Sequence, residues 1–279
     1  MPESITDTFA TAADPASSTA ALLAQTEAAV RAASAPLRER FGEVTLSRTR
    51  GELMAALGAN DDVVLDILRP RLHTLRPHAG WVEQEQELDG GALPRGEWWV
   101  VDPAEGNVNH LRALPEWAVT ATLVRDNAPV LTVVHLPLTG QTYTALAGGG
   151  AYLDGRRLQV SGATDLGLSI VATSQARPDE PERLVRRVGA SITEMFLDAL
   201  VVRTAVPATL HLANVAAGRI EAFWQFAGAR ADLLPGALLV AEAGGQISTT
   251  DGSPWTPDSD SFLAAAPGVH AAATATLSR

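Results

Sequence analysis

Apolar residues at helical spacing open the chain. Leu22, Leu23, Val30, Leu37 and Phe41, within Ala20 to Phe41, predict a helix that Pro36 breaks or kinks. A second helix is predicted from Asp61 or Asp62, either of which can cap it, through Val64, Leu65, Ile67 and Leu68, with Pro70 interrupting it soon after. Gly80-Trp81-Val82 then leads into the acidic run Glu83-Gln84-Glu85-Gln86-Glu87, which reads as a solvated loop.

From Glu97 the pattern becomes that of strands. Trp98 to Val101 is a short apolar run ending abruptly in Asp102-Pro103, with Glu105 and Gly106 close behind. A buried strand would in this way deliver two carboxylates and a tight turn to one point. Trp98 and Trp99 alternate across that strand, one toward the core and one toward a helix layer. Ala118 to Arg125 and Val130 to His135 flank the turn signal Asp126-Asn127-Ala128-Pro129. Gln141 to Ala147, Ala151 to Leu153 and Arg156 to Val160, parted by Gly148-Gly149-Gly150 and Asp154-Gly155, extend this hairpin into an antiparallel meander.

Leu168 to Ser174 reads as a further strand and Pro181 to Val188 as a short helix. The C-terminal part alternates: strands at Asp198–Val202, Arg219–Phe226 and Phe262–Ala265, helices at Ala208–Ala217, Asp232–Ala243 and Val269–Leu277. Gly218 and Gly244-Gly245 close the first two of those helices. The sum is one α/β domain over residues 20–279, helices packed on sheets in two tightly joined halves, about 20–175 and 176–279. Residues 1–19 carry Glu3, Asp7 and Asp14 and no arginine, so they are expected to be a disordered tail rather than a signal peptide.

Composition removes several kinds of chemistry. The 21 basic residues are all arginine, which excludes a Schiff-base lysine and a Walker-type phosphate loop. The absence of cysteine excludes disulfides, thiolate zinc and a cysteine nucleophile. A net charge of −11 argues against nucleic acid or an anionic membrane as partner, and no stretch approaches a membrane span. The expected location is the cytoplasm.

What remains is carboxylate chemistry. If Asp102, Glu105 and Asp232 converge with Glu83, they need a cation, because like charges a few ångströms apart repel by several kcal/mol at low dielectric. An all-oxygen set of this kind suits Mg²⁺ or Mn²⁺ better than zinc, and the Ala104 carbonyl is placed to add a neutral ligand. Asp232 at the start of a helix is equally an ordinary N-cap. The amides of Gly106 and Asn107 are candidates to hold phosphate oxygens. His110 is either a ligand or acid/base group, or a half-buried space filler; His135 and His211 read as satisfied core histidines. Ser174, Gln175 and Arg177 follow a strand, where they could contact a leaving group or simply form a capping loop. Trp117 and Trp224 read as core or interface fillers.

Asp102-Pro103-Ala104-Glu105-Gly106-Asn107-Val108-Asn109-His110 resembles the signature of the inositol monophosphatase family, usually Asp-Pro-Ile-Asp-Gly-Thr-x-Asn-Phe. Asp232 to Gly245 is similar to the family's second signature, Gly148 to Val160 to its hairpin, and Arg203 to Gly218, with Ala216-Ala217-Gly218-Arg219 in a helix-to-strand step, to the helix before that signature. The resemblance, which spans roughly Ala20 to the C-terminus, implies a layered αβαβα sandwich of the inositol monophosphatase and fructose bisphosphatase type. It also implies metal-activated water without a covalent intermediate, a small phosphorylated metabolite as substrate, and a homodimer. Its metal ligands fall on Glu83, Asp102, the Ala104 carbonyl, Glu105 and Asp232.

This sequence departs from the family pattern at several of those places. Glu105 stands for aspartate, one methylene longer, and Asn107 for the threonine that orients water, whose upstream aspartate partner is sought among Asn60, Asp61 and Asp62. Gln84 replaces a glutamate, Ala231 a tryptophan, His110 a phenylalanine, and Gln225 the substrate-binding glutamate of inositol-specific members. The expectation is therefore a divergent Mg²⁺-dependent phosphatase acting on a sugar, polyol or nucleotide phosphate. Catalysis rests on Glu83, Asp102, Glu105 and Asn107, and substrate contacts on Gly106, Asn107, His110, Ser174, Gln225 and Asp232. The alternative is a homologue recruited to binding, regulation or a non-hydrolytic step.

Overall fold

Two long helices, α1 (Pro15–Glu39) and α2 (Arg50–Leu75), open the computed structural model, which describes residues 15–83, 93–174, 180–226 and 230–279. Neither proline ends its helix: α1 runs on past Pro36, where a break or a kink was expected, and α2 past Pro70, expected to interrupt it. Leu37 and Leu72 lie beyond those prolines and are fully buried in one cluster with Val30, Val64 and Leu68, so burial outweighs the single backbone bond each proline removes. The start of α2 also differs from expectation, lying eleven or more residues before Asp61. Thr49 caps it, accepting from Glu52 N at 3.2 Å, while the Glu52 carboxylate accepts from Arg48 N at 2.7 Å. Thr49-x-x-Glu52 is the capping-box pattern that marks this start in the sequence. Helix α1 begins within the stretch assigned to a tail; residues 1–14 lie outside the described residues.

A seven-stranded sheet follows, in the order β1 (Gly80–Glu83), β2 (Glu97–Glu105), β3 (Ala118–Arg125), β4 (Ala128–Leu136), β5 (Gln141–Leu146), β6 (Gly150–Leu153) and β7 (Arg156–Arg157). All neighbours are antiparallel except β1 and β2, so the meander expected from the turn residues is present. Helix α3 (Asn107–Leu111), a single turn after β2, was not expected from the sequence.

The second sheet has the order β11 (Gln246–Ser248), β12 (Ser261–Ala265), β10 (Ala222–Phe226), β8 (Ile170–Thr173), β9 (Val201–Thr204). Between its strands run α4 (Glu182–Asp198), α5 (Ala208–Ala216), α6 (Arg230–Glu242) and, last, α7 (Pro267–Leu277). Here α4 is longer than the short helix expected and takes up Asp198, which moves β9 three residues later than its predicted place. The amphipathic face of α4, with Val188, Ser191 and Met195 buried, carries the helix on where local signals are weak.

Three apolar clusters define the layers. One packs α1 and α2 on the outer face of the first sheet, around Trp99, Trp117 and Leu123. The next fills the space between the sheets with α5 and α6, around Leu212, Phe223, Leu239 and Phe262. The third packs α4 and α7 beneath the second sheet, around Trp224, Met195 and Val269. The result is the layered αβαβα sandwich. Helices α5 and α6 approach so closely at Gly236 that an added Cβ would lie 2.3 Å from the Leu212 Cβ. No helix among the described residues is long and apolar enough to cross a membrane.

Candidate metal centre

Asp102 and Glu105 are three residues apart, and in a regular strand they would point to opposite faces of the sheet. The pairing of β2 with β3 shifts between them: Asp102 faces Thr120, but Glu105 faces Ala118, so one extra residue is accommodated on β2. That bulge, at a proline with no N–H to give the ladder, brings both carboxylates to one side. Asp102 turns the chain over itself by accepting from Ala104 N at 2.9 Å. Gly106 then takes φ of +83°, where a Cβ would lie 2.7 Å from the Glu116 carbonyl oxygen; only glycine fits.

The third acid comes from the far half of the chain. Asp232 lies in the first turn of α6, which starts two residues earlier, so it is not the helix N-cap. Asp102, Glu105 and Asp232 each present an oxygen, all within 4.8 Å of one another, with the first two buried. Glu105 is 2% exposed, and its Oε2 is buried without a hydrogen-bond partner. Its pKa is held well above the ordinary carboxylate value, first by burial, then by the charges of Asp102 and Asp232, with Thr209 opposing. A divalent cation among these oxygens would reverse that balance, and the donor set fits one: hard, anionic and oxygen-only.

Glu83 closes β1 opposite Val101, one residue from Asp102, which places its backbone beside the centre. Thr209, at the start of α5, was not anticipated from sequence. It is fully buried and donates to the Asp232 carbonyl at 2.8 Å, which holds the start of α5 to the first turn of α6. A lone hydroxyl in the apolar stretch Ala208-Thr209-Leu210 was the available signal, since a buried hydroxyl needs partners.

Other expected site residues sit elsewhere. The Asn107 amide faces α2: its Nδ2 donates to Asp61 Oδ1 at 2.8 Å and to the Leu57 carbonyl at 3.0 Å, and its Oδ1 accepts from Asn60 at 2.8 Å. Both Asn60 and Asp61, two of the three residues considered as partners for this position, therefore engage it. His110 is corrected from a substrate contact to a packing residue. It is 3% exposed; Nε2 donates to the Leu37 carbonyl at 2.9 Å and Nδ1 accepts from Asn60 at 3.1 Å. Its edge packs on Phe41 and Trp117, and burial pushes its pKa down. Ser174 Oγ donates to Gln225 Oε1, joining these two residues at the ends of the parallel strands β8 and β10. His135 and His211 are satisfied core histidines, bonded to Gln141 and Thr142 and to Ala205 respectively. Gln84, Gln175 and Arg177 lie outside the described residues.

In this layered αβαβα fold, carboxylates gather at the end of a bulged strand in a group that could hold a hard cation. The sequence model of the inositol monophosphatase family matches residues 19–279, and the chain belongs to that family. It is 34% identical to an inositol-1-monophosphatase of Rhizobium meliloti over 189 residues, 67% of this chain and 69% of that protein. It is 32% identical to the Nus factor SuhB of Escherichia coli over 194 residues, 70% of each chain. Among solved structures, the inositol monophosphatase of Anabaena superposes with a TM-score of 0.77 at 23% identity, over 93% of this chain and 96% of that one. That last likeness concerns the fold.

Proposed function

We propose that the protein is a divalent-cation-dependent hydrolase of a small phosphate monoester, of the sugar, polyol or nucleotide class. The observation that carries this reading is the convergence of Asp102, Glu105 and Asp232 around a buried Glu105 oxygen that has no protein partner. Glu83, Asp102, the Ala104 carbonyl, Glu105 and Asp232 would hold Mg²⁺ or Mn²⁺. When bound, the metal supplies a lowered water pKa and charge neutralisation on the phosphate. Gly106 and Asn107 would offer backbone N–H groups to phosphate oxygens, and Ser174 and Gln225 a polar edge for the alcohol part. The Asn107 side chain has no proton to relay; both its N–H groups go to α2, which leaves one Oδ1 lone pair. The same reading places a homodimer in the cytoplasm with a phosphorylated metabolite as its partner, supported by family membership.

The test is release of phosphate from a panel of esters with Mg²⁺, with Mn²⁺ and with chelator. Metal-dependent turnover that Asp102→Asn abolishes is expected. No turnover on any ester, together with no cation uptake by calorimetry, would refute the reading.

A recruited, non-hydrolytic role is the second reading. It is favoured by the Asn60–Asn107 amide pair and by relatives named Nus factor. The double substitution Glu105→Asp with Asn107→Thr separates the two. A large gain in hydrolysis supports recruitment away from catalysis, whereas a loss supports residues already tuned to their reaction.

A further inference from the structure

Resting on the hydrolase reading above, we propose that Ser174 is a positioning residue that fixes the Gln225 amide with its N–H groups toward the substrate, so that the site selects phosphate monoesters whose alcohol part carries a carboxylate. Gln225 lies near the end of β10 and Ser174 directly after β8, and these strands run parallel, with β9 parallel on the other side of β8. The carboxyl ends of all three therefore share one edge of the sheet. Helix α5 leaves that edge after β9 and α6 after β10, and their first turns meet there, where Thr209 Oγ1 donates to the Asp232 carbonyl at 2.8 Å. In a sheet whose parallel strands lead into helices, this is the edge that receives ligands. Alternation along the strands gives the face. Phe223 packs with α5 and α6 between the sheets, whereas Trp224 packs beneath the second sheet with α4 and α7; Ala172 and Val171 divide in the same way. Two residues on from Phe223 and Ala172, Gln225 and Ser174 face the layer of α5 and α6, from which Asp232 comes.

Ser174 is buried and firmly framed. Just before it, Thr173 Oγ1 donates to the Trp224 carbonyl at 2.7 Å and the Thr173 carbonyl accepts from Ala205 N at 3.2 Å, which ties the ends of β8, β9 and β10 together. From that frame the Ser174 hydroxyl gives its single proton to Gln225 Oε1. The carbonyl end of the amide is thereby turned toward β8. Gln225, half-buried, keeps the two protons of Nε2 with no partner among the described residues. An amide free to turn over serves a donor or an acceptor equally, whereas one whose oxygen is anchored offers its N–H groups. An N–H bonds most strongly to an anionic oxygen, less to a hydroxyl and not at all to an ammonium. Gln225 is thus the residue that sets specificity, and Ser174 acts through it.

The test compares kcat/KM with Mg²⁺ on two pairs of esters of different reach, each pair exchanging a carboxylate for a hydroxymethyl group. The pairs are 3-phosphoglycerate against glycerol 3-phosphate, and glucuronic acid 1-phosphate against glucose 1-phosphate. The wild type is expected to favour the acid of at least one pair about tenfold, the weight of one hydrogen bond to a charged group. Ser174→Ala frees the amide and should cut that preference to about threefold or less, through KM, while Ser174→Thr, which keeps the hydroxyl, should retain it. Gln225→Glu replaces the two donors with a negative charge and should reverse it. An equal loss on both members of a pair in Ser174→Ala would mean that Ser174 only holds the strand ends, and would overturn the proposal. So would a wild type that favours neither acid, with the hydrolase reading left standing. If no ester is turned over, calorimetry of ester binding to the Mg²⁺-loaded protein reads the same preference. Tighter binding of an acid without turnover then overturns the hydrolase reading alone, and no discrimination overturns both. Circular dichroism checks the fold of each variant, and Ser174→Thr with Gln225→Glu decides the question if Ser174→Ala unfolds the chain.

Discussion

Asn60 donates a hydrogen bond from Nδ2 to Oδ1 of Asn107 at 2.8 Å and reaches Nδ1 of His110 at 3.1 Å with the same nitrogen. Donors and acceptors along this path run in one direction, from Asn60 through Asn107 to Asp61, with His110 donating onward to Leu37. The path fastens α3, and with it the turn at Gly106, to the helical layer. Asn107→Ala removes three hydrogen bonds at once and is expected to lower stability by about 2 kcal/mol, read as a shift of the urea midpoint. Asn60→Asp should cost more, because Asp cannot donate to both Asn107 Oδ1 and His110 Nδ1.

The three carboxylates predict an unusual response to substitution. Without metal, Asp102→Asn removes one of the like charges crowded against Glu105, so the metal-free protein is expected to gain about 1 kcal/mol and to melt a few degrees higher in chelator. Saturating Mg²⁺ or Mn²⁺ should raise the melting temperature of the wild type and leave Asp102→Asn unchanged. Scanning calorimetry with chelator and with metal measures both.

His135 gives the acid side of the stability profile. Burial, then the charge of Arg31, lower its pKa from 6.5 to about 4, with the Gln141 carbonyl and Asp154 opposing and Arg38 adding. The unfolded chain takes up the proton first, so this contribution is fully present above about pH 6.5 and is lost as pH falls toward 4. Its size is on the order of 3 kcal/mol. His135→Gln is expected to flatten the fall in melting temperature between pH 6.5 and 4, whatever its effect at neutral pH. His110, His211 and His270 are lowered by burial too and act with the same sign.

Glu242, at the end of α6, accepts from Gly148 N at 2.7 Å and Gly150 N at 2.8 Å, so the two glycine-rich motifs of the sequence meet in one carboxylate. Glu242→Ala leaves both amides without that partner and is expected to cost about 2 kcal/mol, with Glu242→Gln recovering part of it. Equilibrium urea unfolding of the two variants checks the order.

How much of this was legible beforehand differs by element. The meander between β3 and β7 could be read because its turns are local: Asp126, Asn127 and Asp154 take positive φ where the sequence offers turn formers. The helix limits could not, because Leu37 and Leu72 hold their helices together across prolines by contacts with residues far along the chain. His110 could be read either way until Leu37 and Asn60 were found on its two nitrogens.

By itself the sequence determined which chemistry is available: no thiol, no lysine, and acids at 102, 105 and 232 in motifs that mark the family. It also determined the tight turn, since only glycine takes the backbone angles of position 106 without a clash. The tertiary structure decided which acids share a site and what holds them. A bulge between Asp102 and Glu105 reverses the strand alternation, and α6 brings Asp232 to two carboxylates more than a hundred positions earlier in the chain. Both effects come from long-range packing, in which sheet register and helix contacts set side-chain direction, and spacing along one chain carries no record of that.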